Sequence, residues 1–172
     1  MPYTITDTGL KMSQVDPSVY LNTVAPIHNR LFFRLFQASN TLDRQCQKEI
    51  GISSIHWSVL GALSRPSVQS GMTFSQLTSY LGVSRQSLDG VLKRLERDGE
   101  VVRVSDTQDR RVKNVALTEK GQQAWVKLQT KISQFYQQTF EGFSFDDMVT
   151  FVHLINKLNE SMAQVHIDQD AV

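Results

Sequence analysis

Cysteine is nearly absent. Cys46 stands alone among 172 residues, so no disulfide within the chain can staple the fold, and stability has to come from a packed core. Charge of one sign is also lacking. The 18 Lys and Arg stand against 17 Asp and Glu, a net charge of +1. Overall charge therefore announces no polyanion, and any electrostatic footprint must be local. No apolar run is long enough to span a bilayer, and no stretch has the order of a signal peptide. A soluble cytoplasmic protein with no membrane partner is the expectation. Nucleophile elbow, phosphate loop and metal motif are missing too. His28, His56, His153 and His166 are scattered without ligand spacing. No metal, no cofactor and no enzymatic activity are expected, and Cys46 reads as a buried structural thiol. No internal repeat or low-complexity segment appears.

What is present is concentrated between Thr73 and Thr118. Thr73 can N-cap a short helix with Gln76 answering as a capping box, and Phe74, Leu77 and Leu81 fall on one helical face. Gly82-Val83 makes a tight turn. Ser84 caps a second helix whose stripe is Leu88, Val91, Leu92 and Leu95, stopped by Gly99. Two runs, Val101 to Val104 and Val112 to Leu117, then read as strands around a polar, turn-rich tip that ends in Asp109-Arg110-Arg111. Helix, turn, helix and hairpin make a winged helix.

Helices flank this unit on both sides. Residues 1–26 read as an N-terminal arm, with a short helix possible after Pro17. A long helix follows over Ile27 to Ile50. Its stripe is Ile27, Leu31, Leu35, Ala38, Leu42 and Cys46, and Phe32, Phe33 and Phe36 widen the apolar face beyond what one surface helix needs. Gly51 ends it, Ser53 or Ser54 caps the next helix (Ile55 to Ser64), and Pro66 terminates that one. Beyond the wing, Glu119 to about Phe140 is helical with Trp125, Leu128, Ile132, Phe135 and Thr139 aligned. Ser144 and Asp147 then cap a last helix, Phe145 to Val165, striped by Met148, Val152, Ile155, Leu158, Met162 and Val165. The fold class is mainly α with a small β-hairpin wing: a winged helix-turn-helix between N- and C-terminal dimerisation helices. The divisions are 1–26 for the arm, 27–66 for the N-terminal helices on the dimer and pocket side, 67–118 for the winged unit and 119–172 for the C-terminal dimerisation helices. The surplus apolar surface is most simply buried in a two-fold homodimer.

Between Ser84 and Lys113 eight basic residues face six acids, so sidedness must matter more than total charge. The start of the second helix, Ser84, Arg85, Gln86 and Ser87, suits base edges and phosphates of double-stranded DNA. Arginine reads guanine and glutamine reads adenine through paired hydrogen bonds, and backbone N–H groups at a helix start favour phosphate. Lys93 and Arg94 lie further along the same helix, and the tip adds Arg110 and Arg111, whose forks suit phosphate and narrow minor grooves.

The segments Leu81-Gly82-Val83-Ser84-Arg85, Leu95-Glu96-Arg97-Asp98-Gly99, Asp109-Arg110-Arg111 and Leu117-Thr118-Glu119-Lys120-Gly121, in this order and spacing, resemble the MarR family of bacterial transcription regulators. The likeness runs more loosely from about Ile27 to Val165. It implies a dimer knitted by helices from both ends of the chain, a wing braced by Asp109, and Arg111 reaching a minor groove. Two departures stand out. Asp89 and Gly90 occupy places where the family often has Thr and Arg, and Gly90 costs its helix about 1 kcal/mol relative to alanine. Glu100 stands where an apolar residue is usual.

The resemblance also implies a small aromatic acid bound between dimer helices and winged unit. His28, Arg30, Arg34, His56 and Arg65 are candidates for its anion, with Phe32, Phe36, Trp57 and Leu60 as walls. The function expected is a repressor released from a pseudo-palindromic operator by a benzoate or hydroxycinnamate, with activation left open. Two alternatives stay open as well: a winged-helix protein-interaction module, and a regulator with a non-aromatic effector.

Overall fold

The computed structural model describes residues 16–68, 70–105 and 111–167. The chain divides into two compact units, Met1–Trp125 and Val126–Val172. In the first, a short helical turn, α1 (Pro17–Val19), passes through a π-helical stretch, Tyr20–Val24, into the long α2 (Ala25–Gln45). A second π-helical stretch, Cys46–Ile50, closes α2, and Gly51 terminates it at φ 93°, its N–H bonded to the Cys46 carbonyl. Helix α3 (Ser54–Leu63) follows, with its N–H of His56 capped by the Ser53 hydroxyl. Asp43, eleven residues upstream, accepts from the Ser54 N–H at 2.8 Å and from its hydroxyl at 2.6 Å. Those bonds, the hydroxyl's first, hold the Asp43 carboxyl below the usual carboxylate range and tie α2 to the start of α3.

The winged unit comprises β1 (Met72–Thr73), α4 (Phe74–Leu81), α5 (Arg85–Arg97), β2 (Val101–Ser105) and β3 (Lys113–Leu117). The capping box forms as expected: Thr73 accepts from the Gln76 N–H at 3.1 Å, and the Gln76 side chain accepts from the Thr73 N–H at 2.8 Å. Gly82 turns the chain between α4 and α5 at φ 63°, a left-handed conformation that costs glycine little. The sheet is antiparallel in the order β1-β3-β2, with Val101 opposite Leu117, Ser105 opposite Lys113, and Met72 opposite Val115. Strand β1 is absent from the sequence reading because two residues show no alternation, and Thr73 was already spoken for as a helix cap. The second wing strand begins one residue later than expected, at Lys113 rather than Val112.

Leu77, Leu88, Leu92 and Leu95 are fully buried, with Val59 and Leu60 of α3 and Val115 of β3. This core fixes α5 with its leucine stripe inward, so its remaining face must look outward. Cys46 is also fully buried, and burial pushes its thiol pKa up.

Helix α6 (Glu119–Thr139) starts in the first unit and continues into the second, which holds α7 (Phe145–Ala163). Ser144 and Asp147 form the expected capping box. Helix α7 ends at Ala163, two residues before the expected Val165. The stripes of α2 and α7 depart most from a core assignment: neither helix has a buried residue. Ile27, Leu31, Phe36 and Val152 are exposed in the single chain.

Candidate nucleic-acid interface

The start of α5 is a built terminus. The Ser84 hydroxyl accepts from the Ser87 N–H at 3.1 Å and donates to the Ser87 hydroxyl at 2.8 Å. Ser84, Arg85, Gln86 and Ser87 are all exposed. The Arg85 guanidinium lies over the Phe74 ring, 5.0 Å from its centre, a contact that steadies the side chain without neutralising it. Among the described residues Arg85 has no carboxylate partner.

The rest of α5 is different. Lys93 pairs with Asp89 at 2.7 Å, Arg94 with Asp98 at 3.7 Å, Arg97 with Asp98 at 3.5 Å, and Arg103 of β2 with Glu96. Acids interleaved at helical spacing offset the cations of the later turns, leaving the uncompensated positive charge at the first turn beside the helix dipole's positive end. Asp89, troubling in the sequence, is the partner of Lys93. These exposed pairs are weak, so Lys93 and Arg94 can exchange carboxylate for phosphate. Arg111 is exposed beside the start of β3. Asp109 and Arg110 lie outside the described residues.

The segment Leu117 to Gly121 locks wing, α5 and α6 together. The Thr118 hydroxyl donates to the Gly99 carbonyl at 2.7 Å and accepts from the Gly121 N–H at 3.0 Å, while Lys120 Nζ donates to the Asp98 carbonyl at 2.6 Å. A Cβ on Gly121 would stand 2.0 Å from the Glu100 carbonyl oxygen, so only glycine permits this approach.

The expected effector residues lie on α2, on α3 and just beyond it. His28, Arg30, Phe32, Arg34 and Phe36 lie on α2, with Arg34 bonded to Gln37 at 3.0 Å and both phenylalanines exposed. Leu60 is fully buried in the winged core and Trp57 half-buried. Arg65 donates to the Ala62 carbonyl and stacks on Tyr80, 4.1 Å from the ring centre. His56, also expected at the anion, is on α3. It is buried, with Nε2 3.7 Å from Glu100 Oε2. Burial lowers its pKa first; Glu100 opposes that, and Arg94 adds to it. This pairing also accounts for Glu100 where an apolar residue was expected. A groove of about 700 Å³ lies instead along the Pro66-to-Gly71 link and α4, lined by serines, Met72, Gln76 and Tyr80. No sequence signal marks it, because its serines read as loop and helix surface.

Among the described residues no helix is long and apolar enough to cross a membrane, and no three His, Cys, Asp or Glu side chains stand together as a metal site.

A small core that presents one helix start and a two-stranded wing defines a winged-helix, DNA-binding transcription regulator. Comparison with known proteins makes this specific. Residues 50–112 match the sequence model of the MarR family. The chain is 41% identical over 141 residues to the transcriptional activatory protein BadR of Rhodopseudomonas palustris, covering 80% of this chain and 81% of that one. It is 29% identical over 134 residues to the homoprotocatechuate degradative operon repressor of Escherichia coli, covering 76% and 88%. Among solved structures, BpsR of Bordetella bronchiseptica, described with regulation of its DNA binding by 6-hydroxynicotinic acid, superposes with a TM-score of 0.64 at 22% identity, covering 80% and 94%. The chain belongs to the MarR family of transcription regulators.

Proposed function

We propose that this protein is a homodimeric repressor that holds a pseudo-palindromic operator through Ser84 to Ser87 and the wing, and leaves it when a small aromatic carboxylate binds. The observation that carries the effector class is the uncovered face of α2. Phe32, Phe33 and Phe36 are each about half exposed or more, and Arg30 and Arg34 lie on the same helix. A ring buries against phenylalanines while a guanidinium fork takes the carboxylate. Two of the proteins it resembles are described with ring carboxylates, homoprotocatechuate and 6-hydroxynicotinic acid, which supports the same class. A homodimer follows from the apolar surface left open on α2 and α7. A second reading, activation, is favoured by one observation: the 41% identical relative is named as an activatory protein.

The experiment is a calorimetric titration of benzoates and hydroxycinnamates, with and without operator duplex. A coupling of about 1–3 kcal/mol is expected, and linkage requires operator to weaken effector binding by the same factor. If no compound binds, or if binding is indifferent to DNA, the effector class is wrong. A promoter fusion with and without the regulator reads the sign: higher expression in its absence means repression.

A further inference from the structure

Among the described residues three glycines lie inside helices, and two have reasons within the chain. A Cβ on Gly121 would strike the Glu100 backbone, and one on Gly61 would stand 3.2 Å from the Trp125 ring. Gly90 has neither reason. Its φ is not positive, and a Cβ there would meet nothing within 4 Å. It is exposed in the middle of α5. Glycine is a poor helix former and alanine the best, so Gly90 weakens α5 while relieving no clash and no strain inside the chain.

The constraint must then come from what lies against α5. Gly90 is on the outward face, one turn from Gln86 and Ser87 on one side and Lys93 and Arg94 on the other. All four are exposed and polar, and the leucines that could bind a protein partner are buried on the opposite face. We propose that Gly90 is the point of closest approach between α5 and DNA, where the missing side chain lets a base-pair edge of the major groove come up to the helix backbone. Asp89 fits this arrangement: the Lys93 ammonium is paired with it at 2.7 Å. The inference rests on the reading that α5 enters the groove, and the test separates the two.

The probe is a duplex selected from a random pool by the parent protein. Gly90→Ala and Gly90→Met both install good helix formers, so both are expected to raise Tm, by about 2–4 °C for a chain of this size. Gly90→Ala is expected to weaken binding about tenfold and Gly90→Met a hundredfold or more, the range seen when one base-pair contact is disturbed or lost. The salt slope stays at the parent value because no phosphate contact is removed. A fall in Tm would mean that the glycine has an internal reason and would overturn the proposal. Equal losses for alanine and methionine would also overturn it, since they would point to helix stiffness rather than bulk. Arg85→Ala is the control. If it weakens binding while Gly90→Met binds like the parent, only this inference fails; if neither changes binding, the placement of α5 in the groove fails with it.

Discussion

The winged unit and helices α2 and α7 are built to opposite rules. In the winged unit the apolar stripe of α5 has its leucines at zero exposure, with α5 packed against α3 and β2. Helices α2 and α7 carry stripes as regular, yet bury no residue, and Phe36 and Val152 remain 65% and 59% exposed. The first pattern is closed within one chain. The second is a face without its counterpart, larger than the scattered exposed side chains a monomer tolerates. Periodicity reports that a face is apolar; it does not report whether the same chain covers it.

The largest effect expected from this contrast lies in the closed region. Leu92→Ala should cost about 2–5 kcal/mol, the transfer term plus a cavity that its neighbours cannot fill. Its deficit relative to the parent should be the same at every protein concentration, read by denaturant unfolding. A cost under about 1 kcal/mol, or one that varies with concentration, would mean that the winged core is not self-contained.

Val152→Lys comes next and tests the open region. If the proposed dimer covers this face, a charge on it should raise the dimer dissociation constant about tenfold to a hundredfold, or about 1.4–2.8 kcal/mol, measured by sedimentation. Because dimerisation stabilises by mass action, its deficit in Tm should shrink on dilution as the parent dissociates too. An unchanged dissociation constant would take this stretch of α7 out of the interface.

How much was legible follows the same division. Where a local rule acts alone, the sequence was sufficient: Thr73 with Gln76, Ser144 with Asp147, and the leucines of α5 each depend on neighbours three or four residues away. What failed to show depends on distant partners. Asp43 caps α3 from eleven residues upstream, β1 exists only because β3 passes beside it, and Glu100 looked anomalous until His56 was placed opposite. The charge count, eight bases against six acids, pointed to sidedness but not to its form: Asp89, Glu96 and Asp98 pair with the cations of the later turns of α5 and of β2, while Arg85 pairs with none of them. The effector residues were chosen by type along α2, α3 and the turn after it, and type does not report burial: His56 and Leu60 are buried in the single chain while Phe32 and Phe36 are exposed.

The smallest effect distinguishes the two regions by pH. His56 of α3 is buried against the winged unit, faced by Glu100 with Arg94 and Asp98 nearby. Its folded pKa is lowered from 6.5, by burial first and by Arg94, against the opposing pull of Glu100. Below pH 6.5 the unfolded chain therefore binds this proton more readily than the folded one. The stability His56 carries is complete above that pH and is lost as pH falls through the folded value. Mild acid should therefore loosen the packing around His56. Two substitutions should move the effect in opposite directions. His56→Gln removes the titrating group and should flatten the stability profile between pH 7.5 and 5.5. Glu100→Gln removes the charge that favours the imidazolium, so the folded pKa drops further and the loss on acidification grows. Denaturant unfolding at several pH values reads both slopes. If His56→Gln leaves the slope unchanged, or Glu100→Gln makes it shallower, the acid sensitivity of the winged unit arises elsewhere than in this pair.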